Sequence, residues 1–259
     1  MKILVCVKQV PEVEQITVTQ GVDGEAVFGE FQAFRMNRFD EFAVEEAVRV
    51  KESFVSVKVD VVTVGSRAAL MVVKRAIGMG ADRGVHLQAA EGEDSGPATV
   101  AGRIACYARE KAYDLILTGS MSEDGMHGQV GPMIAGYLDR PCATNVIYMS
   151  IANDRTTVSI EREVERGARE QLRVTLPVVL SLQPGINWPR YPSLSNMLRG
   201  NRQQMETVVT DNAEDRIDPV EYVDSVLPPR NRKGEVLEGN LKEKAERFLT
   251  ILRKKTFIR

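Results

Sequence analysis

Cysteine is scarce in this chain: Cys6, Cys106 and Cys142 stand far apart, and no CxxC pair occurs. That pattern builds neither a zinc ribbon nor a redox-active dithiol, and an odd number of scattered thiols suits a reducing compartment. Histidine is scarcer still, with only His86 and His127, remote from one another. With no cysteine cluster beside them, they make no transition-metal set. Long apolar runs are missing too; none approaches the roughly 20 residues of a membrane span. The opening, MKILVCVKQV, has one lysine and a short alternating apolar segment, so it reads as a strand and not as a signal peptide. A formal net charge of −2 gives no global attraction to nucleic acid or acidic lipid. These absences lead to the expectation of a soluble, cytoplasmic protein. The phosphate-loop pattern GxxxxGK(S/T), the nucleophile elbow GxSxG and the zinc-binding HExxH are all lacking, which argues against the enzyme classes built on them.

What is present is a chain of 259 residues, 43% hydrophobic and 27% charged, enough for one large globular domain or one domain with extensions. Strand-like and helix-like runs alternate. Ile3 to Val7 is an expected strand, and Ile16 to Phe28 an expected hairpin turning near Asp23-Gly24. Asn37 is expected to cap a helix from about Phe39 to Lys51, with Ala43, Ala47 and Val50 inside and Glu45, Glu46 and Arg49 facing water. Further strands are expected at Val57–Val64, Gly84–Leu87, Asp114–Thr118 and Pro177–Leu182. Helices are expected from Ser66, from Pro97 and from about Gln129 to Leu138. His86 then lies in a strand, as a satisfied core or surface residue. Thr157–Glu161 and Gln171–Val174 read as an antiparallel hairpin, and Ser193 opens a short helix reaching about Leu198. From Asp211 to Glu238 the chain is polar and proline-bearing, an expected arm. Leu241, Ala245, Phe248 and Leu252 follow on one helix face.

Strands joined by helices pair in parallel through right-handed crossovers, and apolar strands imply a sheet covered on both faces. The expected fold is therefore a doubly wound parallel sheet with an antiparallel hairpin addition and an extended C-terminal arm. Its ligand crevice should lie beyond the carboxyl ends of the strands, at the loops after Val7, Val64 and Thr118. Gly78-Met79-Gly80-Ala81-Asp82-Arg83-Gly84 has the wrong spacing and order for a dinucleotide fingerprint and reads as a helix stop. The run from Leu117 to Pro132 is the strongest local signal: a buried strand, a loop carrying Gly119, Gly125, Gly128 and Gly131, then a helix start. Such a loop either cradles a phosphate on the helix's free N–H groups or is an ordinary strand-to-helix turn; its place at a strand end favours the cradle.

Several segments, in order, resemble the beta subunit of electron transfer flavoproteins, including nitrogen-fixation, carnitine-related and electron-bifurcating members. They are Lys2-Ile3-Leu4-Val5-Cys6-Val7-Lys8-Gln9-Val10-Pro11, Met36 to Ala47, Ala76 to Arg83, the glycine loop, Glu161-Arg162-Glu163, and Asn187-Trp188-Pro189-Arg190-Tyr191-Pro192-Ser193-Leu194. The resemblance runs from Met1 to about Val209. It implies an adenine nucleotide alpha hydrolase-like, Rossmann-like domain over residues 1–210, and an arm and helix over residues 211–259 that dock on an alpha subunit. That alpha subunit would hold an electron-carrying FAD, and this chain AMP or a second FAD, with FAD slightly favoured. By position, Cys6, Asn37, Val64, Gly119, Asp124, Gly125, Gly128, Gln129, Val130 and Gly131 would line the nucleotide. Leu194, Asn196 and Met197 match a loop that recognises a flavin-dependent dehydrogenase, such as an acyl-CoA dehydrogenase. By its residues alone, Leu194 is better read as packing under its own short helix. Glu163 aligns with a glutamate near the alpha subunit's flavin; by itself it reads as an exposed hairpin charge. Ser120-Met121-Ser122 and Met126 depart from the family pattern. No catalytic residue and no metal are implied; the role is electron transfer, by itself not an enzyme's. The alternative is a stand-alone adenine-nucleotide-binding protein of the universal-stress type.

Overall fold

The computed structural model describes residues 1–12, 18–20, 26–28, 33–89, 96–209, 234 and 236–255. The chain divides into two compact units, one of Met1–Val18 and Phe28–Val223, the other of Thr19–Val27 and Asp224–Arg259.

In the first unit, a continuous apolar run makes β1 (Lys2–Cys6). Ile3 and Val5 point into one apolar cluster and Leu4 and Cys6 into another, so the strand is buried on both faces. The short strands β2 (Gln9–Pro11) and β5 (Phe34–Met36) pair antiparallel and lead into α1 (Arg38–Ser53). Then come β6 (Lys58–Gly65), α2 (Leu70–Met79), β7 (Arg83–Gln88), α3 (Pro97–Arg109), β8 (Leu115–Gly119) and α4 (Val130–Leu138). Pro97 stands at the first position of α3, where its missing N–H costs nothing, and Gly80 caps α2.

β9 (Cys142–Ile151), β10 (Thr157–Glu163) and β11 (Arg169–Thr175) follow as an antiparallel run, then β12 (Val178–Leu182), α5 (Leu194–Arg202) and β13 (Glu206–Val209). Among the described residues the main sheet has nine strands in the order β11-β10-β9-β12-β8-β1-β6-β7-β13. Every pairing from β9 to β13 along that order is parallel. The chain leaves β1 towards β6 and β7, then returns to β8 on the other side of β1. The strand order therefore reverses between β1 and β8, and the crevice of a doubly wound sheet opens there. Residues of α1 and α2 fill one apolar cluster and residues of α3 and α4 the other.

The second unit holds α6 (Leu241–Lys254) and the 19–27 segment, whose β3 (Val18–Gln20) and β4 (Ala26–Phe28) form a two-stranded sheet. Asn240 and Glu243 form a reciprocal capping box on α6. The expected turn at Asp23-Gly24 and the arm over 211–233 lie outside the described residues.

Two expectations are corrected. Glu45 and Glu46 do not face water; both are buried beneath the 187–190 segment, with charged and amide partners given below. Asn37 stands at the N-cap position of α1, but its side chain makes no capping bond. It is spent on the glycine loop instead. The strand β9 was not expected; Asn145, with φ +56°, interrupts its period of two where the register with β12 slips.

Candidate nucleotide crevice and an exposed apolar segment

Two backbone exits meet at the switch point. Asp40, in the first turn of α1, accepts the Lys8 N–H at 2.8 Å and the Gly119 N–H at 3.1 Å. A Cβ at position 119 would fall 2.5 Å from Asp40 Oδ1 and 2.7 Å from Phe39 Cβ. Glycine is required there so that α1 can approach β8. Asn37 donates from Nδ2 to Met121 O at 2.9 Å, and its Oδ1 accepts the Glu123 N–H at 3.1 Å. Glu123 pairs with Arg35 at 2.9 Å and accepts the Arg38 N–H at 3.1 Å. Lys8 Nζ meets Asp124 at 2.7 Å. The first half of the loop is thus tied, residue by residue, to the exits of β1 and β5.

Burial pushes the Asp40 carboxyl up to about 7, against the opposing pull of the Lys8 N–H, Asn37 and the Gly119 N–H. Burial, with the Asp40 charge beside it, also drives the Cys6 thiol well above its ordinary value, so Cys6 behaves as a small hydrophobe. For Asp124 burial acts upwards too, but Lys8, Ser122 and the Gly125 N–H together hold its carboxyl below the usual range.

The second half of the loop offers donors. The first intrahelical bond of α4 runs from Met133 N–H to Gln129 O at 3.0 Å. Among the described residues, the N–H groups of Gly128, Gln129, Val130 and Gly131 have no acceptor. They sit at a helix N-terminus, where the partial positive charge suits an anion. Gly128 has φ +64°, which turns the chain into the helix. Gly131 packs inward: a Cβ there would collide with Ser181 Oγ and lie 2.8 Å from Thr118 Oγ1. Those two hydroxyls bond each other at 2.9 Å beneath the helix start. Cys6, Val64 and Val130 belong to the apolar cluster on the α3 and α4 face.

The expected site residues therefore fall into three places. Cys6, Val64, Gly119 and the run from Asp124 to Gly131 gather at the strand exits, with Asn37 bonded to the loop from α1. Leu194, Asn196 and Met197 lie on α5, where Ser193 Oγ caps the helix by accepting the Asn196 N–H at 3.3 Å. Glu163 ends β10 and accepts from Gln183 Nε2 at 2.8 Å. Asp40 and Lys8 were missed by sequence reasoning; an acid in a helix first turn, opposite a strand exit, was the available signal. Among the described residues no group of three or more histidine, cysteine or acidic side chains gathers to hold a metal. His86 is buried in β7, with Nε2 at 2.9 Å from Gly65 O and 3.1 Å from Ser66 O.

The segment before α5 is pinned hard to α1. Arg190 donates from Nε and Nη2 to Glu45 at 2.9 and 3.0 Å, and from Nη1 and Nη2 to Glu52 at 2.5 and 2.9 Å. Asn187 Nδ2 donates to Glu46 at 2.9 Å and to Phe42 O at 3.0 Å. Outside these pins Trp188 is 94% exposed, Tyr191 81% and Leu194 71%.

Residues 26–213 match the electron transfer flavoprotein domain. Relatives bearing the name electron transfer flavoprotein subunit beta align over most of both chains. The protein of Bacillus subtilis (strain 168) is 32% identical over 223 residues, covering 84% of this chain and 85% of its own. That of Homo sapiens is 34% identical over 210 residues, 80% and 81% of the two chains. That of Methylophilus methylotrophus is 31% identical over 262 residues, 97% and 98%. Among the described residues no helix is long and apolar enough to cross a membrane. A parallel sheet reversing at β1 and β8, with that extent of alignment, leaves one conclusion: the chain belongs to the electron transfer flavoprotein family, among its beta subunits.

Proposed function

We propose that this chain binds the adenylate portion of a nucleotide, AMP or FAD, at the β1/β8 switch point, and pairs with an alpha subunit that holds the electron-carrying flavin. The observation that carries this reading is the row of N–H groups from Gly128 to Gly131, without protein acceptors among the described residues, at the N-terminus of α4. A phosphate fits those donors. Cys6 and Val64 would wall the crevice, and Asn37 and Asp124 would hold the loop in place from either side. The flavin would supply the redox chemistry, and this chain binding and orientation. No side chain need act as acid, base or nucleophile, so the role is that of a carrier subunit in the cytoplasm.

Electrons would enter from a flavin-dependent dehydrogenase such as an acyl-CoA dehydrogenase. The exposed Leu194, with Asn196 and Met197 on the same helix, would meet that partner. Glu163 would lie near the alpha subunit's flavin, and the arm and helix over 211–259 would dock on that subunit. Family membership favours this reading over a stand-alone protein of the universal-stress type. Met126, in place of an acid, weighs against full bifurcation, while Gln129-Val130-Gly131 favours FAD slightly.

The test is to co-express the two subunits, release the ligands and identify them by mass. One FAD with AMP per pair makes a simple carrier, and two FAD molecules make bifurcation possible. Gly128→Val should empty the beta site while Leu194→Ala leaves it full and slows electron exchange. Full nucleotide content in Gly128→Val would remove the loop assignment.

A further inference from the structure

A single carboxylate holds both walls of the crevice. Asp40 is 6% exposed, and its two oxygens take amides from different strand exits, Lys8 after β1 and Gly119 at the end of β8. No Cβ fits at position 119 because Asp40 occupies that space. One turn earlier, Asn37 grips both Met121 O and the Glu123 N–H of the same loop. The loop then passes through the Met126 N–H to Ser122 O turn, 2.9 Å, before reaching the free amides of α4.

We propose that Asp40 is the positioning residue of this crevice: by accepting the Lys8 and Gly119 amides together, its carboxylate sets the spacing of the two strand exits and hence the aim of the 128–131 amides at a phosphate. The inference rests on the nucleotide reading above and deepens it. The ionised carboxylate has only acceptors, which match two N–H donors. Protonation turns one oxygen into a donor facing another donor, and one exit is released. The charged and titratable groups around it are Lys8, which pairs with Asp124, the buried Cys6 thiol on β1, and, across Asn37, Glu123, which Arg35 and Arg38 neutralise. Burial places the change between the two forms near neutral pH.

The experiment measures affinity for AMP, and in parallel for FAD, from about pH 5.5 to about pH 8.5, on the full chain co-expressed with its alpha subunit and stripped of nucleotide. Wild type is compared with Asp40→Asn, which keeps the shape and loses the charge. The second ionisation of the AMP phosphate, near pH 6, acts equally on both proteins, and the ratio of their affinities removes it. That ratio should be about tenfold or more at the alkaline end and shrink to about twofold at the acid end. Should Asp40→Asn fail to assemble, the wild-type affinity for FAD serves alone, because the FAD pyrophosphate does not titrate in this range: it should fall about fivefold or more from the alkaline to the acid end, and a flat profile would overturn the proposal. A ratio of one, a ratio constant with pH, or one that grows towards acid would each overturn the proposal; the constant ratio would leave Asp40 a structural residue only. Wild-type protein that binds neither AMP nor FAD at any pH would instead remove the nucleotide reading, and this inference with it.

Discussion

The crevice between β1 and β8 and the 187–202 segment are built on opposite principles. The crevice presents main-chain N–H groups, and two of its glycines exist so that other parts of the protein can come close. The segment presents large apolar side chains, and its backbone is held by charged groups drawn from α1. Backbone donors tolerate few changes in spacing but need no particular side chains. A side-chain clamp fixes its segment only while every partner is present. The first arrangement suits a small rigid anion, and the second suits a broad surface.

The largest way to break the contrast is Arg190→Ala. It leaves Glu45 buried without its cation, and should cost about 3 kcal/mol in urea denaturation, the lower end for a broken buried pair because the Arg190 side chain is 36% exposed. Glu52→Gln, at the half-exposed end of the same clamp, should cost less than about 1 kcal/mol. Equal losses from the two would mean that the clamp is a surface feature. In the crevice, Gly131→Ala should cost about 2 kcal/mol by the same measurement, because its Cβ meets the Thr118–Ser181 hydroxyl pair. An unchanged midpoint would show that the helix start can shift freely.

A pH series sharpens the comparison at the smallest scale. The Asp40 carboxyl titrates higher when folded than when unfolded, so the folded protein holds that proton more tightly. Its contribution to stability is full below the unfolded value of about 4 and is lost as pH rises through about 7. The slope approaches about 1.4 kcal/mol per pH unit at most. Glu46, also raised by burial, acts in the same direction, whereas Asp82 and Asp124 are lowered and act in the opposite sense at more acid pH. Thermal unfolding from about pH 5 to about pH 8 should therefore show a fall in wild type that is shallower in Asp40→Asn. Parallel curves would assign the fall to Glu46.

Much of the fold was legible because buried strands and amphipathic helices write their periods into the chain. The runs around Val5, Val61 and Leu117 needed no more than that. β9 was not legible, since a bulge at Asn145 breaks its alternation, and β13 is only a short edge strand with every second residue exposed. Glu45 and Glu46 were misread because charge at helical spacing normally means water. Their partners, Arg190 and Asn187, lie 145 and 141 residues further on, and no local pattern carries that information. At the crevice, the glycines were legible as a group, but their reasons were not. Gly119 and Gly131 make room for Asp40 and for two hydroxyls, while Gly128 supplies a left-handed turn. Asp40 escaped notice because a single acid in a helix first turn is common, and only the fold brings Lys8 and Gly119 to it.

Trp188 is the chain's one tryptophan, and it stands almost wholly in water. Its emission is therefore already that of a hydrated indole in the native state, so denaturation of this chain leaves the signal close to where it began. A shift to shorter wavelength on mixing with another protein marks an indole that has been covered. The native molecule thus carries an optical reporter of contact at the pinned segment, one that is largely blind to its own unfolding.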